Sequence, residues 1–168
     1  MKLRFLKSRT SRQLRKNKAQ RGSIPYKKAL TVGVIFTIAD RQKHDQVKEF
    51  IHKLEQDGKK VRVISFLPEK RENHEFLFDF FTIKDVTVWG KITSHNALQF
   101  SETPFDYLYY LDTEPNPLIL YLLARSQAKC RVGRFWISGE PYFELMIDSV
   151  GNTRSLIDGI YKYATKLT

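Results

Sequence analysis

A chain of 168 residues that is 42% hydrophobic and holds twelve Phe, eight Tyr and two Trp is too rich in core-forming side chains to be disordered. A lone cysteine, Cys130, excludes an internal disulfide framework and a thiolate metal cage, and points to a reducing cytoplasm. The net charge of +11 is confined to the start: Met1 to Lys28 carries eleven of the 29 Lys and Arg and none of the 18 Asp and Glu, so a neutral body of about 140 residues, enough for one domain, bears a cationic arm.

In the arm, Leu3, Leu6 and Leu14 fall near one helical face, but Ser and Thr fill the turn between them, which predicts a ragged, fraying helix. No apolar run reaches the roughly 18 residues of a membrane span, and the arm lacks the apolar stretch of a signal peptide. Its acid-free, Arg-rich composition with Ser8, Thr10, Ser11 and Ser23 also fits a transit peptide. Gly22, Ser23 and Pro25 read as a linker, with a boundary near residue 28.

Ala29 to Ile38 is a near-continuous apolar run rich in β-branched residues, as in a strand covered on both faces. Asp40 caps a helix with Val47, Phe50, Ile51 and Leu54 inward and Gly58 as its stop, and Val61 to Leu67 is the next strand. Pro68 to Glu75 reads as loop, and the dense Phe76, Leu77, Phe78, Phe80 and Phe81 as a buried turn or short helix. Asp85 to Gly90 (DVTVWG) predicts a short strand, Ser94 to Phe100 a short helix capped by Ser94, and Phe105 to Asp112 an aromatic strand. Pro115 and Pro117 open a helix that buries Leu118, Ile119, Leu122 and Leu123. Arg131 to Trp136 is a fifth strand, and Tyr142 to Asp148 a sixth, close enough behind it to predict a hairpin and an antiparallel pairing. Arg154 to Leu167, with Asn152 or Thr153 as cap, closes the chain as a helix. The alternation predicts a Rossmann-like three-layer α/β sandwich with a mostly parallel sheet over 29–168, preceded by a basic helical arm over 1–28.

The succession TVGVIFTIAD, GKKVRVISFL, FFTIKDVTVWGK, PFDYLYYLD, PLILYLLARSQAKCRVGR and YFELMID resembles a family of small proteins of unknown function found chiefly in Bacteroidetes-type bacteria. The resemblance spans nearly the whole chain, implies the fold and a bacterial cytoplasmic setting, and carries over no functional residue. A shorter stretch of about thirty residues, FDYLYYLD to AKCRVGR, is similar to the first Rossmann domain of ADP-heptose-type glycosyltransferases. That family also uses a second Rossmann domain and a glycine-acid turn after its first strand, and this chain has neither.

Chemical motifs are sparse. The spacings of zinc sites, of Gly-rich phosphate cradles and of G-x-S-x-G are all missing, so no metal and no cofactor are expected. His44, His52, His74 and His95 read as surface residues, and Cys130 as a buried, inert thiol. By position alone, the strand ends offer Asp40, Trp89, Lys91, Asp112, Thr113 and Arg134 as candidates for a pocket. The simpler readings are a helix cap for Asp40, a polar stop for Asp112 and a packed stem for Arg134.

The arm supplies the stronger signal. Arg4, Lys7, Arg9, Arg12, Arg15, Lys16, Lys18 and Arg21 form a polyanion-binding set whose expected partner is RNA or a ribonucleoprotein, contacted through phosphates without sequence readout. The same charges could attach the protein to an anionic membrane with Leu3, Phe5 and Leu6 as a wedge, or serve only as a solubilising tail. An enzyme acting on a phosphorylated small molecule at the strand ends is the remaining reading, and the oligomeric state is left open.

Overall fold

The computed structural model describes residues 1–71 and 78–168. In chain order the elements are α1 (Lys2–Lys16), β1 (Thr31–Thr37), α2 (Arg41–Gln56), β2 (Lys60–Phe66), β3 (Asp79–Phe81), α3 (His95–Glu102), β4 (Tyr107–Tyr110), α4 (Pro117–Arg125), β5 (Cys130–Arg134), β6 (Leu145–Ile147) and α5 (Thr153–Ala164). The strands form one sheet in the order β3-β2-β1-β4-β5-β6, and every neighbouring pair is parallel. The architecture is the Rossmann-like three-layer sandwich, with strand order reversing between β1 and β4.

Alternation along the strands sorts the core into two halves. Val32, Val34, Phe36, Tyr107 and Tyr109 face α2 and α5, where Phe50, Leu54, Leu156 and Ile160 are buried. On the other side, Ile35, Leu108 and Tyr110 face α3 and α4, with Phe100, Ile119 and Leu122. All three tyrosines of β4 are buried, Tyr110 on the face opposite Tyr107 and Tyr109. Asp40, Ser94 and Asn152 cap α2, α3 and α5 through their side chains, and Gly58 stops α2 with a φ of 84°.

The sixth strand does not form a hairpin with the fifth. Residues 135–144 carry the chain back to the start of β5, where Glu144 N–H donates to Arg131 O at 2.9 Å, so β6 runs parallel. An aromatic crossing holds this return: Trp136 stacks on Tyr142 at 6.0 Å, and the Phe143 ring occupies the space that a Cβ on Gly133 would fill. The third strand is likewise not at 85–90. The edge of the sheet is β3, in which Phe81 is buried, while Val86 makes only an isolated bridge with Ile92 and Val88 is exposed. Phe80 and Phe81, expected in a buried turn or short helix, lie instead in β3, where Phe80 is exposed. The expectations for His74, Phe76 and Leu77, and those for residues 72–75 of the loop, lie outside the described residues.

The segment 83–90 instead seats the N-terminal helix. Leu6 is fully buried among Ile35, Ile119 and Leu122, and Thr10 is buried beside it. Gly90, at φ 72°, lets the loop touch α1; a Cβ there would lie 2.5 Å from the Leu6 nitrogen. Lys2 Nζ donates to Ile83 O at 3.4 Å, and Arg9 Nε donates to Trp89 O at 2.9 Å. The helix is therefore docked rather than fraying. The stretch after it is also tied down: Asn17 Nδ2 donates to Ala124 O and Ser126 O, each at 2.9 Å, Gly22 N–H donates to Lys129 O, and the Tyr107 hydroxyl donates to Ile24 O. Asn17 thus satisfies carbonyls left open at the C-terminal end of α4.

Candidate functional site

Two places merit comparison, the crevice at the β1/β4 reversal and the outer face of α1. At the first, Asp112, two residues beyond β4, is a buried carboxylate. Its Oδ1 accepts from Thr37 N–H at 2.8 Å and Lys43 Nζ at 2.6 Å, and its Oδ2 accepts from Thr37 Oγ1 at 2.6 Å. Asn116, the cap of α4, donates through Nδ2 to Thr37 Oγ1 at 2.8 Å. Beside Asp112, Arg134 donates to Thr113 O at 3.0 Å and Ser149 O at 2.9 Å, tying together the loops after β4 and β6. A cleft of about 350 Å³ opens over Thr37, Lys43, Asp112 and Asn116, and a smaller one of about 200 Å³ adjoins it at Asp40, Gln46 and Asn152.

Of the strand-end residues named from sequence, the fold brings together Asp40, Asp112, Thr113 and Arg134. Trp89 and Lys91 lie apart, in the loop whose Trp89 meets Phe5 and Arg9 of α1. Sequence reading missed Thr37, Lys43 and Asn116. Lys43 lies in the first turn of α2 and Asn116 caps α4 directly before Pro117, so the sequence shows each beyond a strand but not that they meet at Asp112. The carboxylate, ammonium and hydroxyl here are matched to one another, so the network staples β1 to β4 and leaves little unsatisfied polarity to offer a ligand.

A second staple closes the other end of the same strand pair. Asp106 accepts from Leu30 N–H at 2.8 Å, Thr31 N–H at 3.2 Å and Lys129 Nζ at 2.9 Å. Burial works against its charge, yet these donors together hold its carboxyl below the ordinary value. Cys130 is buried, and desolvation pushes its thiol up to about 12, which suits an inert packing role. His44 is buried against Phe78 rather than exposed, whereas His52 lies 3.2 Å from Gln56 and His95 is exposed. Among the described residues no cluster of His, Cys, Asp or Glu could hold a metal ion.

On α1 the situation is reversed. Docking uses Leu6 and Thr10, and leaves Arg4, Lys7, Arg12, Arg15 and Lys16 exposed, followed by exposed Lys18. None of these six makes an ion pair among the described residues. Arg9 and Arg21 are partly withdrawn: Arg9 holds Trp89 O, while Arg21 donates to Ala128 O and lies 3.6 Å from Glu144. A cleft of about 430 Å³ at the end of the helix is bordered by Lys16, Lys18 and Arg125, with Glu102 as its acid.

Fold and surface together define a single Rossmann-like α/β protein with a docked basic helix and a polar staple where a cofactor crevice would lie. The chain belongs to a family of unknown function, DUF6913, whose sequence profile matches residues 2–167. No match is found among curated proteins. Among the described residues no helix is long and apolar enough to cross a membrane.

Proposed function

We propose that the protein is a non-enzymatic binding module whose helix α1 contacts the phosphates of RNA or of a ribonucleoprotein, in a bacterial cytoplasm. The observation that carries this reading is the division of α1 into a docked face and five exposed, unpaired cations, with Lys18 a sixth just beyond its end, on a segment with no acid. Held on a helix, such charges gain phosphate contacts and release counterions without first ordering the chain.

Membrane attachment fits less well. Its wedge requires Leu3, Phe5 and Leu6, but Leu6 is in the core and Phe5 is engaged by Trp89. An enzyme at the crevice, or glycosyl transfer there, is disfavoured because Asp112, Lys43 and Thr37 are already committed to one another. The buried single cysteine agrees with a reducing compartment.

The test is RNA binding by the full chain across a salt series, against a variant with Arg12→Glu, Arg15→Glu and Lys16→Glu, which leaves Leu6 and Thr10 in place. The log of affinity should fall linearly with log salt, by about 0.7 per single-strand phosphate contact, and the variant should bind weakly with a shallower slope. Unchanged binding by the variant would exclude the helix as the contact surface.

A further inference from the structure

We infer that Trp89 is a stacking platform for an unpaired base, so that the nucleic acid favoured by this surface is single-stranded. The inference rests on the polyanion reading of α1 and names the substrate class of that same surface. Trp89 is 64% exposed although it sits in a loop that is fixed from several sides. Its ring meets Phe5 edge-on at a centroid distance of 5.2 Å, its carbonyl takes the Arg9 guanidinium, and the next residue, Gly90, is pressed on the α1 backbone. Thr87 N–H donates to Lys91 O at 2.9 Å and Lys91 N–H donates to Thr87 Oγ1 at 3.1 Å, which closes the turn that carries Trp89. A T-shaped contact with Phe5 engages at most one face of the indole, and the exposure of Trp89 leaves the other available for stacking.

Charge is arranged to match. Lys2, Phe5, Arg9, Arg12 and Lys16 are spaced three or four residues apart and so lie along one side of α1. This row runs from the Trp89 loop toward the basic cleft at Lys16 and Lys18, and Lys91 adds an exposed cation at the loop itself. A track of cations ending at a held, exposed aromatic is the combination that binds single strands: phosphates follow the charges while a base stacks on the π-face. In a duplex the bases are stacked on each other and present no face to an indole, so the aromatic discriminates between the two forms.

The experiment compares oligouridylate with an RNA duplex as probes for the full chain, for Trp89→Ala, for Trp89→Phe and for the Arg12/Arg15/Lys16 charge reversal, with thermal melts of each. Expected are a 5- to 150-fold loss of oligouridylate affinity in Trp89→Ala, on the order of one lost stacking contact, little change toward duplex, and recovery in Trp89→Phe. Tryptophan emission of the natural chain should be quenched by oligouridylate, and Trp89→Phe, which keeps Trp136, should lose that response.

Equal affinity of Trp89→Ala and the natural chain for oligouridylate, with binding abolished by charge reversal, overturns the stacking platform and leaves the polyanion reading standing. Insensitivity to charge reversal as well, or no RNA binding, removes both. Parallel losses toward single strand and duplex with a lowered melting temperature would make Trp89 only a seat for α1. A blue-shifted emission on anionic phosphatidylserine vesicles without a response to RNA would assign the patch to membranes instead, and overturn the inference.

Discussion

Replacing Leu6 with alanine tests whether the N-terminal helix is part of the fold. Leu6 has no exposed surface and belongs to the core half that β1, α3 and α4 line, on a helix packed against α4. Removing the branched end of a fully buried leucine costs about 2–5 kcal/mol, the spread reflecting how far the site can collapse. For a chain of this size each kcal/mol shifts the melting temperature by about 2–4 °C, so Leu6→Ala should lower it by about 4–20 °C. Leu3, at 52% exposure on the same helix, is the internal control: Leu3→Ala should change stability by no more than about 0.5 kcal/mol. Urea unfolding followed by far-UV circular dichroism reads both, with a single transition expected. A Leu6→Ala midpoint no lower than that of Leu3→Ala, together with an unshifted midpoint in a chain beginning at Ser23, would refute the docking and return α1 to the status of a tail.

Asp112→Asn should cost about 3–5 kcal/mol in the same assay, because the Lys43 ammonium, 11% exposed, loses its buried partner; Lys43→Met added to Asp112→Asn should recover much of the loss. The Tyr109 hydroxyl is buried without a hydrogen-bond partner among the described residues, so Tyr109→Phe should raise stability by about 1–3 kcal/mol, and a lower melting temperature would contradict the assignment. Asp106 has a carboxyl pKa lowered on folding, so its contribution is complete above the unfolded value of about 3.9 and is lost as pH falls below that through the folded value. Acid unfolding of Asp106→Asn should therefore show a weaker pH dependence in that window than the natural chain.

Much of the scaffold was legible because single elements obeyed single rules. The near-continuous apolar run of β1 announced a strand covered on both faces, and the caps Asp40, Ser94 and Asn152 stand where the side-chain oxygen is needed. What misled were segments whose pattern serves a partner far along the chain. In DVTVWG the alternation of Val86 and Val88 reads as a strand, yet the segment is the seat of α1, and only Gly90 hints at it. The parallel course of β6 depends on the Arg131–Glu144 pair and on Phe143 filling the gap at Gly133, neither of which a short spacing reveals. The docking of α1 escaped a hydrophobic count because it uses one leucine and then Thr10, Asn17 and backbone contacts. At the crevice, Asp112 was found from its place at a strand end, while its partners Thr37, Lys43 and Asn116 needed the tertiary register of β1 against β4.

The seat of α1 also fixes an order of events during synthesis. The helix emerges before its seat: the loop that receives Arg9 lies 80 residues later and the carbonyl that receives Asn17 lies 107 residues later. At about 5–20 residues per second, the basic segment is exposed for roughly 5–20 s before α4 exists to hold it. Throughout that interval Leu6 is uncovered and the cations have no fixed spacing, so the nascent chain presents a flexible basic tail where the finished protein presents a rigid face. The helix is thus made well before the elements that hold it in place.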